Sequence, residues 1–137
     1  MTAIPTPTLS RNALRVPLLI ALGAIFWLLA ALVIRFLGSS VFAPGSAVLF
    51  IVFALAIPIA WGFVWLGTTI AGARGAAVVP AVSIMSATAM LLDGVALTWF
   101  PSLYGMPSTS LVIVGACLLW GVGWILAIAH LWNRRGE

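Results

Sequence analysis

The sequence predicts an all-α protein: a bundle of four membrane-crossing helices joined by short loops, with both termini on the same side. Three observations carry this expectation. The 137 residues are 64% hydrophobic and 6% charged, with a mean hydropathy of +1.28, whereas a water-soluble domain holds about 25% charged and about 45–50% apolar residues. Four apolar stretches, each long enough to cross a hydrocarbon core of about 30 Å at about 1.5 Å per residue, alternate with short segments rich in Pro, Gly and Ser. The charge is also confined: six arginines, no lysine and two acids, with five of the arginines near the expected helix ends on one side. This composition excludes a soluble enzyme, and the placement of the arginines marks membrane topology and not a nucleic-acid patch.

Residues 1–15 form a polar, proline-spaced tail closed by Arg11 and Arg15. The first helix spans about 16–37. It is too long for the about 7–15-residue apolar region of a cleavable signal peptide. Pro44-Gly45 breaks the chain before the second helix, about 47–71, where Pro58 removes one backbone donor and predicts a kink, with Ala54 and Gly62 leaving room for a neighbouring helix. Gly72, Arg74 and Gly75 make a tight turn into the third helix, about 77–100. The loop PSLYGMPS precedes the fourth helix, about 109–131, so the transmembrane domain covers 16–132 and a cationic tail 133–137. Gly115 and Gly123 mark one face of the fourth helix for close packing.

Arg11, Arg15, Arg74, Arg134 and Arg135 fall on one side and none in the two opposite loops, which predicts cytoplasmic termini and loops that face the periplasm or exterior. Trp99, Phe100 and Tyr104 read as an aromatic belt at the outer interface, with His130 and Trp132 at the inner one.

Two ionisable residues do not fit a purely apolar bundle. Arg35 sits at the outer end of the first helix, against the charge rule, and Asp93 lies inside the third, about seven residues or about 10 Å from its outer end. Both helices run outward, so the two lie in one leaflet, and an intramembrane ion pair is expected. Snorkelling of Arg35 to the headgroups, a protonated or hydroxyl-bonded Asp93, and a partner in another subunit are the alternatives. Ser83, Ser86, Met90, Asp93 and Leu97 share one helix face, which predicts an inward polar stripe and places Ser83 and Ser86 with Arg35 and Asp93 in a candidate binding site. Hydroxyls that merely let helices pack closely are the competing account of that stripe.

Trp27, Trp61, Trp65, Trp120 and Trp124 lie away from the belts and form a candidate aromatic pocket for a quinone, lipid tail, carotenoid or hydrophobic cation, or else act as bulky packing units. Cys117, the single cysteine, is expected to behave as a small core residue. No paired carboxylates, Ser/His/Asp set, phosphate loop or metal cluster is recognisable, so no catalytic residue, metal or cofactor is expected.

The stretches FWLLAALVIRFLG (26–38), MLLDGVALTWFPSLYG (90–105) and LLWGVGWIL (118–126) together resemble a family of small bacterial four-helix membrane proteins of unassigned function. The resemblance implies a four-helix inner-membrane protein in which Arg35 and Asp93 are characteristic positions. Small multidrug transporters carry a glutamate in their first helix that this chain lacks, and quinone-linked thiol oxidoreductases need more than Cys117. The expected function is that of an accessory, structural or interaction protein, partnered by the bilayer, by further copies or a larger membrane complex, and by a hydrophobic small molecule. A small transporter or proton-linked carrier using Arg35 and Asp93 is the alternative, and a lipid- or quinone-acting enzyme a remoter one.

Overall fold

A computed structural model describes residues 14–135. Residues 1–13 of the polar tail, Arg11 among them, and the last two residues, Gly136 and Glu137, lie outside the described residues. Four helices, α1 (Val16–Leu37), α2 (Val48–Ala71), α3 (Val78–Trp99) and α4 (Ser108–Arg135), are each long and apolar enough to cross a membrane. Among the described residues there is no strand. The expected boundaries hold to within one residue except at the end of α4, which continues through Asn133 and Arg134 to Arg135 instead of giving way to a tail.

Local chemistry explains the stops. Gly38 ends α1 at φ 76°, and its N–H reaches back to the carbonyl of Ile34. Gly72 ends α2 in the left-handed region, at φ 66° and ψ 20°, where a side chain would be strained, and Ala73 N–H then closes on the Thr68 carbonyl at 2.9 Å. Hydroxyls inside the helices are spent locally: Thr68 Oγ1 donates to Val64 O at 2.7 Å and Thr69 Oγ1 to Trp65 O at 2.6 Å, so neither is left bare in an apolar setting. α2 runs through Pro58 without interruption, and Pro58 itself is exposed.

The helices do not pack in chain order. α1 lies along α3, α2 along α4, and α3 against α4, whereas α1 and α2 barely touch. The described arginines Arg15, Arg74 and Arg134 fall at the end of the bundle that carries the α2–α3 turn, and Arg35 at the end that carries the two longer loops. Two core clusters follow. One, toward the termini, gathers Leu19, Leu22, Val64, Val82 and Met85, and the other, under the loops, gathers Ala31, Ile34, Phe42, Ala96, Tyr104 and Val114. Cys117 is half-buried and packs against the second cluster, as a small core residue would.

The glycines that sit tightly between helices are not those that small-residue spacing suggested. A Cβ built on Gly23 would stand 2.5 Å from the Met85 carbonyl oxygen, and one on Gly67 would stand 2.8 Å from Met85 Cε. Met85, fully buried, is therefore the point where α1, α2 and α3 converge. At Gly62 and Gly123, by contrast, an added Cβ would meet nothing within 4 Å, and at Gly115 only Leu97 Cδ1 at 3.9 Å. The outward faces are apolar throughout, with Phe36 at 84% and Phe50 at 83% exposure. A surface so extensively apolar is soluble in lipid and not in water.

Candidate functional site

The polar centre of the bundle is built where α1, α3 and the α3–α4 loop meet. α1 and α3 run side by side in the same direction and meet at three levels: Gly23 packs on Met85, the Trp27 side chain reaches Asp93, and Arg35 reaches Ser102 and Leu103 in the loop beyond α3. Asp93 is half-buried on α3. Its Oδ1 accepts two hydrogen bonds, from Trp27 Nε1 at 2.9 Å and from the Tyr104 hydroxyl at 3.0 Å. The Arg35 guanidinium donates through Nη1 to the Leu103 carbonyl at 2.7 Å and the Ser102 carbonyl at 3.3 Å.

The ion pair expected between Arg35 and Asp93 is thus replaced by a different arrangement, and no ion pair joins them among the described residues. The reason is register. With Gly23 set against Met85, the Trp27 indole reaches Asp93 from about one turn below and Arg35 stands about one turn, about 6 Å, above it, where the Ser102 and Leu103 carbonyls take its guanidinium. Both residues nonetheless hold the same segment: Arg35 grips its carbonyls from outside while Asp93 takes the Tyr104 hydroxyl from within. Pro101 and Gly105, the latter at φ 63°, let the chain reverse tightly enough for Tyr104 to turn inward.

Tyr104 is where the sequence reading most needs correcting. Expected in an outer aromatic belt, it is 1% exposed and belongs to the core under the loops, while Trp99 and Phe100 beside it are exposed. Burial, with the Asp93 carboxylate next to it as the second cause, holds its phenol above the ordinary value of 10.0. It therefore keeps its proton and acts as a fixed donor. The signal in the sequence was the breaker on either side of Tyr104, which allows a turn that carries the side chain into the bundle.

The stripe through Ser83, Ser86, Met90, Asp93 and Leu97 does not face inward as one. Ser86 is buried and Ser83 half-buried, whereas Met90 is 41% exposed; the inward face of α3 is instead that of Val78, Ala81, Val82, Met85 and Ser86. Ser86 Oγ is buried with no hydrogen-bond partner among the described residues, so the stripe is no chain of linked hydroxyls. Leaving a buried hydroxyl unpaired costs about 1–3 kcal/mol. Ser86→Ala is accordingly expected to melt at the same temperature as the parent or higher in detergent. A clear fall in its melting temperature would mean that the hydroxyl has a partner after all.

The five tryptophans do not wall one pocket. Trp27 serves Asp93; Trp61, half-exposed, stacks on Trp132 with ring centroids 5.6 Å apart; and Trp65 is half-exposed. Trp120 donates to the Phe53 carbonyl at 3.0 Å, one residue before the carbonyl that Pro58 deprives of its helical donor, and meets Trp124 edge-on at 5.8 Å. Trp61, through Trp132, and Trp120, through Phe53, link α2 to α4. His130, exposed near the end of α4, uses Nδ1–H on its own helix, at 3.0 Å from Leu126 O. Among the described residues no cluster of three or more His, Cys, Asp or Glu could hold a metal ion.

The surface formed by the described residues carries shallow clefts. One of about 400 Å³ lies beside Trp61, Ile128, Leu131 and Trp132. Another, of about 220 Å³, opens between α3 and α4 with Asp93 in its lining. Comparison with known proteins finds no matching family model, curated protein or solved structure.

Proposed function

We propose that the chain is a non-catalytic accessory or interaction protein of a bacterial inner membrane, inserted with both termini in the cytoplasm and docked onto further copies or a larger membrane complex. The observation that carries this reading is the use of Arg35 and Asp93 to fasten one loop, Ser102 to Tyr104, to α1 and α3. Ionisable groups at depth are expensive and are retained where they do something; here both are engaged in fixing the shape of one end of the bundle. The exposed apolar flanks of α2 and α4 support docking within the bilayer. The arginines at the opposite end support the orientation through the positive-inside rule. The resemblance of three stretches to small bacterial four-helix membrane proteins agrees with the location.

The test sets this reading against a proton-linked carrier. The protein in sealed vesicles under an imposed pH gradient is expected to leak no faster than empty vesicles, and the folded variants Asp93→Asn and Arg35→Gln to behave like the parent. Co-purification in mild detergent is expected to bring down a membrane partner in fixed ratio or a stable homo-oligomer. A gradient-driven flux that both variants abolish while keeping their helicity would replace the accessory reading with the carrier.

A further inference from the structure

The cleft beside Asp93 has a use that the loop latch does not exhaust. It lies between Met90, Asp93, Gly94 and Leu97 on α3 and the Gly115 to Val122 stretch of α4, and Asp93 is the one ionisable side chain lining it. Oδ1 of that carboxylate is saturated by Trp27 and Tyr104, which also fix its orientation, whereas Oδ2 accepts from no donor among the described residues. Among the described residues no guanidinium neutralises it, because Arg35 is occupied with the loop carbonyls. Gly94 leaves real space, since a Cβ there would meet nothing within 4 Å.

From this geometry we propose that the cleft is a binding site for a single-chain lipophilic amine, whose ammonium head meets Asp93 Oδ2 and whose first carbons lie along Gly94 and Gly115. The charge selects the head, because a carboxylate in a low-dielectric wall attracts a cation and repels phosphate or carboxylate. The volume selects the body: about 220 Å³ is below the about 300–1,000 Å³ of sites that enclose drug-sized ligands, so a slim chain fits and a polycyclic molecule does not. Depth excludes an aminophospholipid headgroup, since Asp93 lies six residues, about 9 Å, along α3 from its end at Trp99. This goes beyond the accessory reading and stands whether or not a protein partner exists.

Native mass spectrometry of the full chain from non-ionic detergent tests it, with dodecylammonium, dodecanol and a lysophosphatidylethanolamine as probes. One dodecylammonium is expected to bind about tenfold or more tighter than the alcohol. Asp93→Asn is expected to bring the two to equality. Gly94→Leu is expected to abolish amine binding with helicity and melting unchanged, whereas Gly123→Leu, outside the cleft, keeps it. Equal binding of amine and alcohol by the parent, undiminished binding by Gly94→Leu, or lysophosphatidylethanolamine binding as tightly as the amine would each overturn the assignment.

Discussion

Replacing Asp93 with alanine is expected to destabilise the folded protein by about 2–3 kcal/mol, among the largest effects of any single side-chain deletion in the bundle. The carboxylate is the shared acceptor of two donors from different parts of the chain, the Trp27 indole and the Tyr104 hydroxyl. Alanine strands both, and an orphaned buried donor costs about 1–3 kcal/mol. Hydrogen bonds between membrane helices average only about 0.6 kcal/mol, and Tyr104 sits in a loop that can relax, so the sum stays toward the lower end. Asp93→Asn keeps a carbonyl oxygen in place of Oδ1 and is expected to lose less than about 1 kcal/mol. Tyr104→Phe should account for part of the alanine loss and, once Asp93 is gone, be neutral or stabilising because it removes a stranded hydroxyl. Reversible unfolding in mixed micelles measures all of these. If Asp93→Ala unfolds no more easily than Asp93→Asn, the shared acceptor is not holding the loop.

The second large effect is expected at Gly23. Alanine there would put a methyl carbon 2.5 Å from the Met85 carbonyl oxygen and 3.0 Å from Thr88 Cβ. The obstacle is backbone, so α1 must move away from α3 along the most extensive helix contact in the molecule. Overpacking of this kind costs about 1–3 kcal/mol, and occasionally more. Gly67→Ala is the matched control, because it meets the far end of the Met85 thioether, Cε at 2.8 Å and Sδ at 3.1 Å, which can rotate aside. The same unfolding experiment should therefore rank Gly23→Ala well below Gly67→Ala. The indole N–H resonance of Trp27 should shift in the first and not in the second, since α1–α3 register sets its bond to Asp93. Equal losses at the two glycines would refute a backbone clash at Gly23.

The helices were legible in the sequence because their cause is local. Runs of apolar residues bounded by Gly38, Gly72 and Pro101 specify where a membrane helix starts and stops, and the register of neighbouring helices plays no part in that. Arg35 and Asp93 were legible as exceptions for the same reason. Their partners were not, because partnering depends on where the α3–α4 loop folds back. Aligning the helix ends and matching Gly23 to Met85 both set Arg35 level with Leu97, about one turn beyond Asp93, and it is the returning loop that offers carbonyls to the guanidinium and a hydroxyl to the carboxylate. Tyr104 was misplaced because a residue just beyond a helix end reads as interfacial unless the loop turns back. Trp27 was singled out for its depth, but the acceptor it serves lies 66 residues away in the chain. Gly62 and Gly123 show the same limit, since spacing along one helix says nothing about which neighbour approaches it.

The alternation of neighbours in the bundle bears on how it is made. With α1 seated against α3 and α2 against α4, the chain cannot complete its structure hairpin by hairpin as it leaves the ribosome. α1 and α2 wait in the insertion machinery or in lipid with most of their final surface bare. Only when α3 emerges does α1 find its mate, and the last helix must be threaded before α2 finds its own. Assembly is therefore committed late, and a translation product stopped after α2 has almost nothing to fold against.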